Sequence, residues 1–81
     1  MKATITSYSY RQSDPPQVIV RYEREDDTSG SVDMYSTIKY NSTRRITAKY
    51  VDDLMSLVTN LTVDTDNICD DILQLMARYI E

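Results

Sequence analysis

The sequence predicts an α+β domain in which a three-stranded antiparallel meander is followed by two amphipathic helices packed on one sheet face (β-β-β-α-α). Two observations carry this prediction. Apolar residues alternate with period two in the first forty residues, and they recur with a helical period after residue 47. The chain has 81 residues, too few to divide apolar side chains between two cores. We therefore expect one small domain over 1–81, with the β-meander in 1–40 and the helical pair in 47–80.

Three segments of the first half have the composition of β-strands. They are rich in Thr, Ile, Val and Tyr, and they cover residues 3–10, 17–23 and 31–40. The second segment is expected to turn Val18, Val20 and Tyr22 towards the core. Alternation in the third predicts one shared face for Val32, Met34, Ser36, Ile38 and Tyr40. Residues 13–16 contain both prolines and 25–30 the only glycine, which predicts two loops short enough for hairpins.

Tyrosine is the only aromatic residue type in the chain, because Phe and Trp are absent and seven tyrosines are present. A tyrosine that is buried whole must place its hydroxyl on a hydrogen-bond partner. In the first strand, alternation predicts one common face for Thr4, Thr6, Tyr8 and Tyr10. We take Tyr8, Tyr10 and Tyr35 as candidate interface aromatics. Core packing of Tyr8 and Tyr10 is the alternative.

Two helical stripes follow the predicted strands. The first contains Val51, Leu54, Met55, Val58 and Leu61, and the second contains Ile68, Ile72, Leu75, Met76 and Tyr79. Thr47 is a plausible N-cap for the first helix, and Asp64 or Thr65 for the second. Residues 61–63 either form a short turn or continue one bent helix. The β-branched residues around this segment favour a break.

The side-chain inventory argues against catalysis. Histidine is absent, which removes the commonest general base and the usual activator of a serine or cysteine nucleophile. The single cysteine, Cys69, falls in the apolar half of a predicted helix, where a thiol is typically a packing residue. Asp64 and Asp66 begin like a calcium loop, but Cys69 occupies its glycine position and Leu75 its final glutamate position. We therefore predict no enzyme activity, no cofactor and no metal.

Charge is divided unevenly along the chain. Residues 1–50 hold eight of the nine Lys and Arg against six acids, a net of +2, and residues 51–81 hold Arg78 against seven acids, a net of −6. The acids of the predicted helices could present one negative face to a basic site on another protein: Asp52, Asp53, Asp66, Asp70 and Asp71. The alternative is that these acids only keep the protein soluble.

A nucleic-acid-binding module is the second functional interpretation. It would use the open sheet face, where Tyr35 is expected, and the basic 39–49 segment, with a patch formed by Arg21, Lys39, Arg44, Arg45 and Lys49. The sequence pI near 4.6 opposes attraction to a polyanion. A homodimer through the open sheet face, or through the unpaired edge of segment 3–10, is compatible with either interpretation.

These observations together predict a small acidic regulator or inhibitor that acts by surface contact with another protein. By analogy of profile alone, viral and mobile-element accessory proteins that block host nucleic-acid-processing or defence complexes are of this kind. The lone cysteine rules out an intramolecular disulfide, which favours a reducing compartment. Neither a signal-like N-terminus nor an apolar stretch of about 20 residues is present. We therefore expect a cytoplasmic protein that does not bind membranes.

Overall fold

A computed structural model, which describes residues 1–80, has four β-strands in one antiparallel sheet and three α-helices. In chain order the elements are β1 (Lys2–Arg11), β2 (Gln17–Arg24), β3 (Ser29–Asp33), α1 (Tyr35–Asn41), α2 (Ala48–Val58), β4 (Thr62–Asp64), a 3₁₀ turn (Thr65–Asn67) and α3 (Ile68–Leu75). The order across the sheet is β3-β2-β1-β4. The α+β class is confirmed, and α1 and β4 are additions to the prediction.

The third strand, predicted over residues 31–40, is correct only for residues 31–33. β3 ends at Asp33, and residues 35–41 form α1 instead. The Asp33 carboxylate accepts hydrogen bonds from the backbone N–H groups of Val18 (3.1 Å) and Tyr35 (2.9 Å), which joins the end of the strand to the start of the helix. Met34 and Ile38 are both fully buried, four residues apart. That spacing fits one face of a helix as well as one face of a strand, so alternation did not distinguish them.

A β-bulge corrects the predicted face of β1. The pairing of β1 with β2 shifts between Ile5 and Ser7, so one extra residue, Thr6, is inserted. Before the bulge Ala3 and Ile5 point into the core, and after it Tyr8 and Tyr10 do so. Thr4 and Thr6 are exposed, so they do not share a face with the two tyrosines.

The predicted helical pair is broken by a strand. Asn60 has a positive φ of 71°, and residues 62–64 then pair antiparallel with residues 2–4 of β1. The hydroxyl of Thr47 accepts from the backbone N–H of Tyr50 (3.1 Å), which confirms the predicted cap of α2. Asp64 caps the 3₁₀ turn that precedes α3, through the N–H of Asp66.

The core lies between one face of the sheet and the helices. The predicted inward residues of β2 are all buried: Val18, Val20 and Tyr22. The two buried tyrosine hydroxyls have partners, since Tyr22 accepts from Arg24 (3.4 Å) and Tyr50 bonds to Ser42 (2.7 Å). The opposite face of the sheet is mostly polar and is uncovered in the described part of the chain. It carries the half-buried Ile19 together with Thr4, Ser7, Ser9, Arg21, Glu23 and Ser31.

Candidate functional site

The acids predicted to form one face lie in separate surroundings. Asp66 lies 3.7 Å from the N-terminal ammonium of Met1, which also lies 3.6 Å from Asp64. Asp71 is half-buried and accepts a hydrogen bond from the backbone N–H of Asp64 (2.7 Å). A hydrogen bond from the N–H of Asp66 holds the pKa of the Asp64 carboxyl below its usual range. These carboxylates therefore join the chain's N-terminus to the start of α3.

The remaining acids of the predicted face are on α2 and α3. Asp53 forms an ion pair with Lys49 (3.0 Å), one turn earlier on α2. Asp70 is exposed and lines a hollow of about 500 Å³ between α1 and α3, beside Tyr40 and Leu73. Asp52 contacts Tyr8 on β1. Of the five predicted acids, Asp52 is the one that meets a predicted interface aromatic.

The contact between Tyr8 and Asp52 joins β1 to α2. The phenol of Tyr8 donates a hydrogen bond to the Asp52 carboxylate, 44 residues away in the sequence. This hydrogen bond raises the pKa of Tyr8, because a carboxylate acceptor favours the protonated phenol. The negative charge of Asp52 adds to the effect by opposing a phenolate. The N-terminal half of α2 is therefore held beside the far end of β1.

We expect Asp52→Ala to lower the pKa of Tyr8 towards 10.0, because the variant lacks both the acceptor and the charge. The NMR chemical shift of the Tyr8 Cζ, followed through an alkaline titration, measures this change. Since the folded-state pKa is the raised one, the contact stabilises the fold fully below pH 10 and less as pH rises through the Tyr8 pKa. Asp53→Ala is the matched control and should leave Tyr8 unchanged. An unchanged midpoint in Asp52→Ala would contradict the contact.

The outer edge of β1 beyond the bulge pairs with no strand among residues 1–80. The pairing of β4 with β1 ends at Thr4, and the backbone of Ile5 bonds to Leu61 (3.0 Å) and Asn60 (2.8 Å). Within residues 1–80, the segment 7–11 pairs with β2 alone. It therefore has a strand neighbour on one side and an open edge on the other.

The backbone groups at this edge belong to Tyr8 and Tyr10. Val18 faces Tyr10 across the sheet, but its C=O and N–H are bonded on the β3 side, to Met34 (2.8 Å) and Asp33 (3.1 Å). The Tyr10–Val18 pair is therefore of the non-hydrogen-bonded kind, and the N–H and C=O of Tyr10 point away from β2. Those of Tyr8, two residues earlier, point the same way. Their rings are half-buried against the core, so each tyrosine combines core packing with edge exposure.

Three of the five predicted basic residues share one hollow. Lys39, Arg44 and Arg45 line a hollow of about 450 Å³ together with Tyr35, between the end of α1 and the loop that leads to α2. Tyr35 is not on the open sheet face as predicted, because it lies in α1. Lys49 pairs with Asp53 instead.

Arg21 lies apart from the other basic residues, on the open sheet face. Its guanidinium donates to the hydroxyl of Ser9 (3.4 Å), and it lines a different hollow with Thr6 and Gly30. The predicted combination of sheet face and basic 39–49 segment therefore does not form one continuous site.

Sequence reasoning missed the residues that shape the basic hollow. The hydroxyl of Ser42 accepts from the N–H of Arg44 (3.1 Å) and bonds to the hydroxyl of Tyr50. The guanidinium of Arg44 lies 5.7 Å from the centre of the Tyr50 ring. The polar residues Ser42 and Thr43 before two arginines were the available signal.

Cys69 is half-buried and packs against the core. No group of three or more Cys, Asp or Glu residues among positions 1–80 is arranged to hold a metal ion. None of the helices described in the structure combines the length and apolar character needed to cross a membrane. No protein family, curated protein or solved structure matches the chain.

Proposed function

We propose that this protein is a small regulator or inhibitor that binds another protein by surface contact and has no catalytic role. The proposed contact area is the β1–α2 surface, defined by the edge of segment 7–11 with Tyr8 and Tyr10, by Asp52, which contacts Tyr8, and by its sequence neighbour Asp53. The free backbone groups of Tyr8 and Tyr10 are the observation that carries the proposal. An open edge of this kind pairs readily with an extended segment of another chain.

The partner segment is expected to be extended and basic. Added next to β1, it would exchange backbone hydrogen bonds with Tyr8 and Tyr10 and bring its alternate side chains past the two rings. The Asp52 carboxylate accepts one hydrogen bond, from Tyr8, and has further lone pairs for a Lys or Arg. The net charge of −4 would favour approach of a basic partner.

The absence of a disulfide partner for Cys69 supports the cytoplasm as the place of action.

The dispersal of the acids narrows the sequence-based hypothesis. Asp66 is paired with the N-terminal ammonium of Met1, Asp71 accepts the N–H of Asp64, and Asp70 lines the hollow beside Tyr40. Asp52 is the acid that contacts the edge segment, through Tyr8, and Asp53 follows it on α2, paired with Lys49. The proposal therefore assigns recognition to these two and not to one continuous acidic helical face.

The test measures retention of a partner from the native cell extract by the wild type and by two variants, Tyr10→Pro and Tyr10→Val. Proline removes the outward N–H of Tyr10 and is tolerated at an edge, because that N–H takes no part in the β1–β2 ladder. Valine keeps the N–H and removes the ring. We expect Tyr10→Pro to reduce the amount of partner retained from the native cell extract at least about tenfold. Binding would lose the backbone hydrogen bond of Tyr10, and the proline ring would sterically hinder the added strand.

The valine variant is the matched control, and circular dichroism establishes that both variants keep the fold. A protein retained by the wild type and, with loss of the ring contact alone, more weakly by Tyr10→Val, but lost with Tyr10→Pro, is the expected result. Equal retention by all three proteins, with the fold intact, would exclude strand addition at this edge.

A further inference from the structure

The hollow formed by Lys39, Arg44 and Arg45 is lined by three cations. None of the residues from the described range 1–80 that line it is acidic. Among residues 1–80, ion pairs involve the N-terminus and Lys49, so all three cations of the hollow lack a carboxylate partner. The first turn of α2, which follows the loop, contains no acid. The hollow is thus a region of positive potential on a protein whose net charge is negative.

The loop that carries the two arginines is held in place. Ser42 bonds to the buried Tyr50 hydroxyl and accepts the N–H of Arg44, whose guanidinium stacks near the Tyr50 ring. Lys39 lies over the ring of Tyr35, 5.7 Å from its centre. Two of the three cations are therefore positioned before any ligand arrives, which lowers the entropy lost on binding.

We propose that this hollow binds the phosphate group of a small phosphate monoester. The planar guanidinium of an arginine matches the geometry of phosphate oxygens, and a lysine adds a point charge. A phosphate monoester carries nearly two negative charges at pH 7, which suits a site with three cations. The volume of about 450 Å³ falls in the range of small-ligand sites. Thr43 also lines the hollow, and a threonine hydroxyl can donate to a phosphate oxygen.

A compact ligand fits the charge distribution better than a long polyanion does. Exposed acids on α2 and α3, together with the net charge of −4, oppose a nucleic-acid strand that extends beyond the hollow. At physiological salt, charges more than about 8 Å apart on the surface are largely screened. A ligand that stays inside the hollow therefore experiences the local cations more than the distant acids.

The test is an NMR titration of the ¹⁵N-labelled protein with adenosine 5′-monophosphate, inorganic phosphate, adenosine, acetate and a ten-nucleotide single-stranded DNA. We expect adenosine 5′-monophosphate and inorganic phosphate to cause saturable chemical-shift changes of the amides of residues 43–46, with a Kd of about 1 mM or tighter. Adenosine and acetate should cause no saturable shift there. A comparison of the monophosphate with inorganic phosphate distinguishes an ester from the free ion as the preferred source.

Arg45→Gln is the test variant, because Arg45 makes no ion pair or ring contact in the part of the chain that the structure describes. It should weaken phosphate binding about tenfold or more, through loss of a charge-assisted hydrogen bond. Arg21→Gln removes the same charge outside the hollow and should bind as the wild type does. The proposal is overturned if no phosphate compound saturates, if both variants weaken binding equally, or if acetate or the DNA alone binds at these amides. None of these outcomes bears on the edge of β1, so this site and the proposed function can fail independently.

Discussion

Replacement of Leu54 by alanine is expected to lower the free energy of unfolding by about 2–5 kcal/mol. Leu54 is 1 % exposed and lies on the buried stripe of α2, next to Val51, Met55 and Val58. The variant would lose the transfer free energy of the removed carbons and would leave a cavity between the helix and the sheet. A domain of this size has roughly 5–10 kcal/mol of stability in total, so this one change would remove a large fraction of it.

Leu57→Ala on the same helix provides the comparison. Leu57 is 37 % exposed, so the same chemical change should cost less than about 1 kcal/mol. Urea unfolding followed by circular dichroism measures both variants against the wild type. Equal losses of stability would mean that α2 does not bury the face that contains Leu54.

Gly30→Ala is expected to destabilise the protein by about 1–3 kcal/mol through overpacking. Gly30 faces Tyr22 across β2 and β3, and a Cβ at this position would lie 2.6 Å from the Cζ and Oη of the tyrosine ring. The ring cannot easily move away. It is 8 % exposed, Arg24 lies 5.1 Å from its centre, and the same guanidinium donates to its hydroxyl.

A double-mutant cycle checks the cause of this loss. In a Tyr22→Val background the added methyl group meets no ring, so Gly30→Ala should cost much less than in the wild type. Ser31→Ala, at an exposed neighbouring position of β3, should change stability by less than about 0.5 kcal/mol. Thermal unfolding of the five proteins provides the measurement. A Gly30→Ala cost that is the same in both backgrounds would exclude the ring as its origin.

The β-bulge connects the fold to the proposed function. If residues 5–8 alternated regularly, without the bulge, Tyr8 would face the open side of the sheet. With the bulge, Tyr8 lies on the helix side, where its hydroxyl reaches Asp52. The proposed β1–α2 surface therefore depends on the bulge, and bulges commonly redirect side chains next to functional sites.

The proposed protein-binding surface and the proposed phosphate site use different parts of the chain. The first combines the edge of β1 with Asp52 and Asp53, and the second combines α1 with the loop that carries Arg44 and Arg45. Lys49 lies outside the phosphate site, because its ammonium is paired with Asp53 of the first surface. A partner on the first surface and a small ligand in the hollow could therefore be bound together.

Much of the secondary structure follows from local pattern. The inward face of β2, the Thr47 cap and the buried positions Val51, Leu54, Met55 and Val58 of α2 are as the sequence predicts, because each depends on residues within a few positions of one another. Leu61, which the sequence assigns to the same stripe, lies beyond the end of α2 and is 39 % exposed. The strand β4 was not predictable in this way. Three residues are too few to show an alternation, and they are held in the sheet by residues 2–4, about sixty positions earlier. The sequence identified Tyr8, Tyr10 and Asp52 as separate candidate contact residues. It did not predict that Asp52 would lie close to Tyr8.

By itself, the amino-acid order determined the α+β class, the inward faces of β2 and α2, and a side-chain inventory without histidine. Tertiary structure alone decided that residues 35–41 are helical, that β1 contains a bulge and has a free edge, and that Lys39 lies beside Arg44 and Arg45. The physical reason is the distance along the chain over which each effect acts. Periodicity and capping act over one or two turns of backbone, whereas strand edges and charged hollows arise only when distant segments pack together.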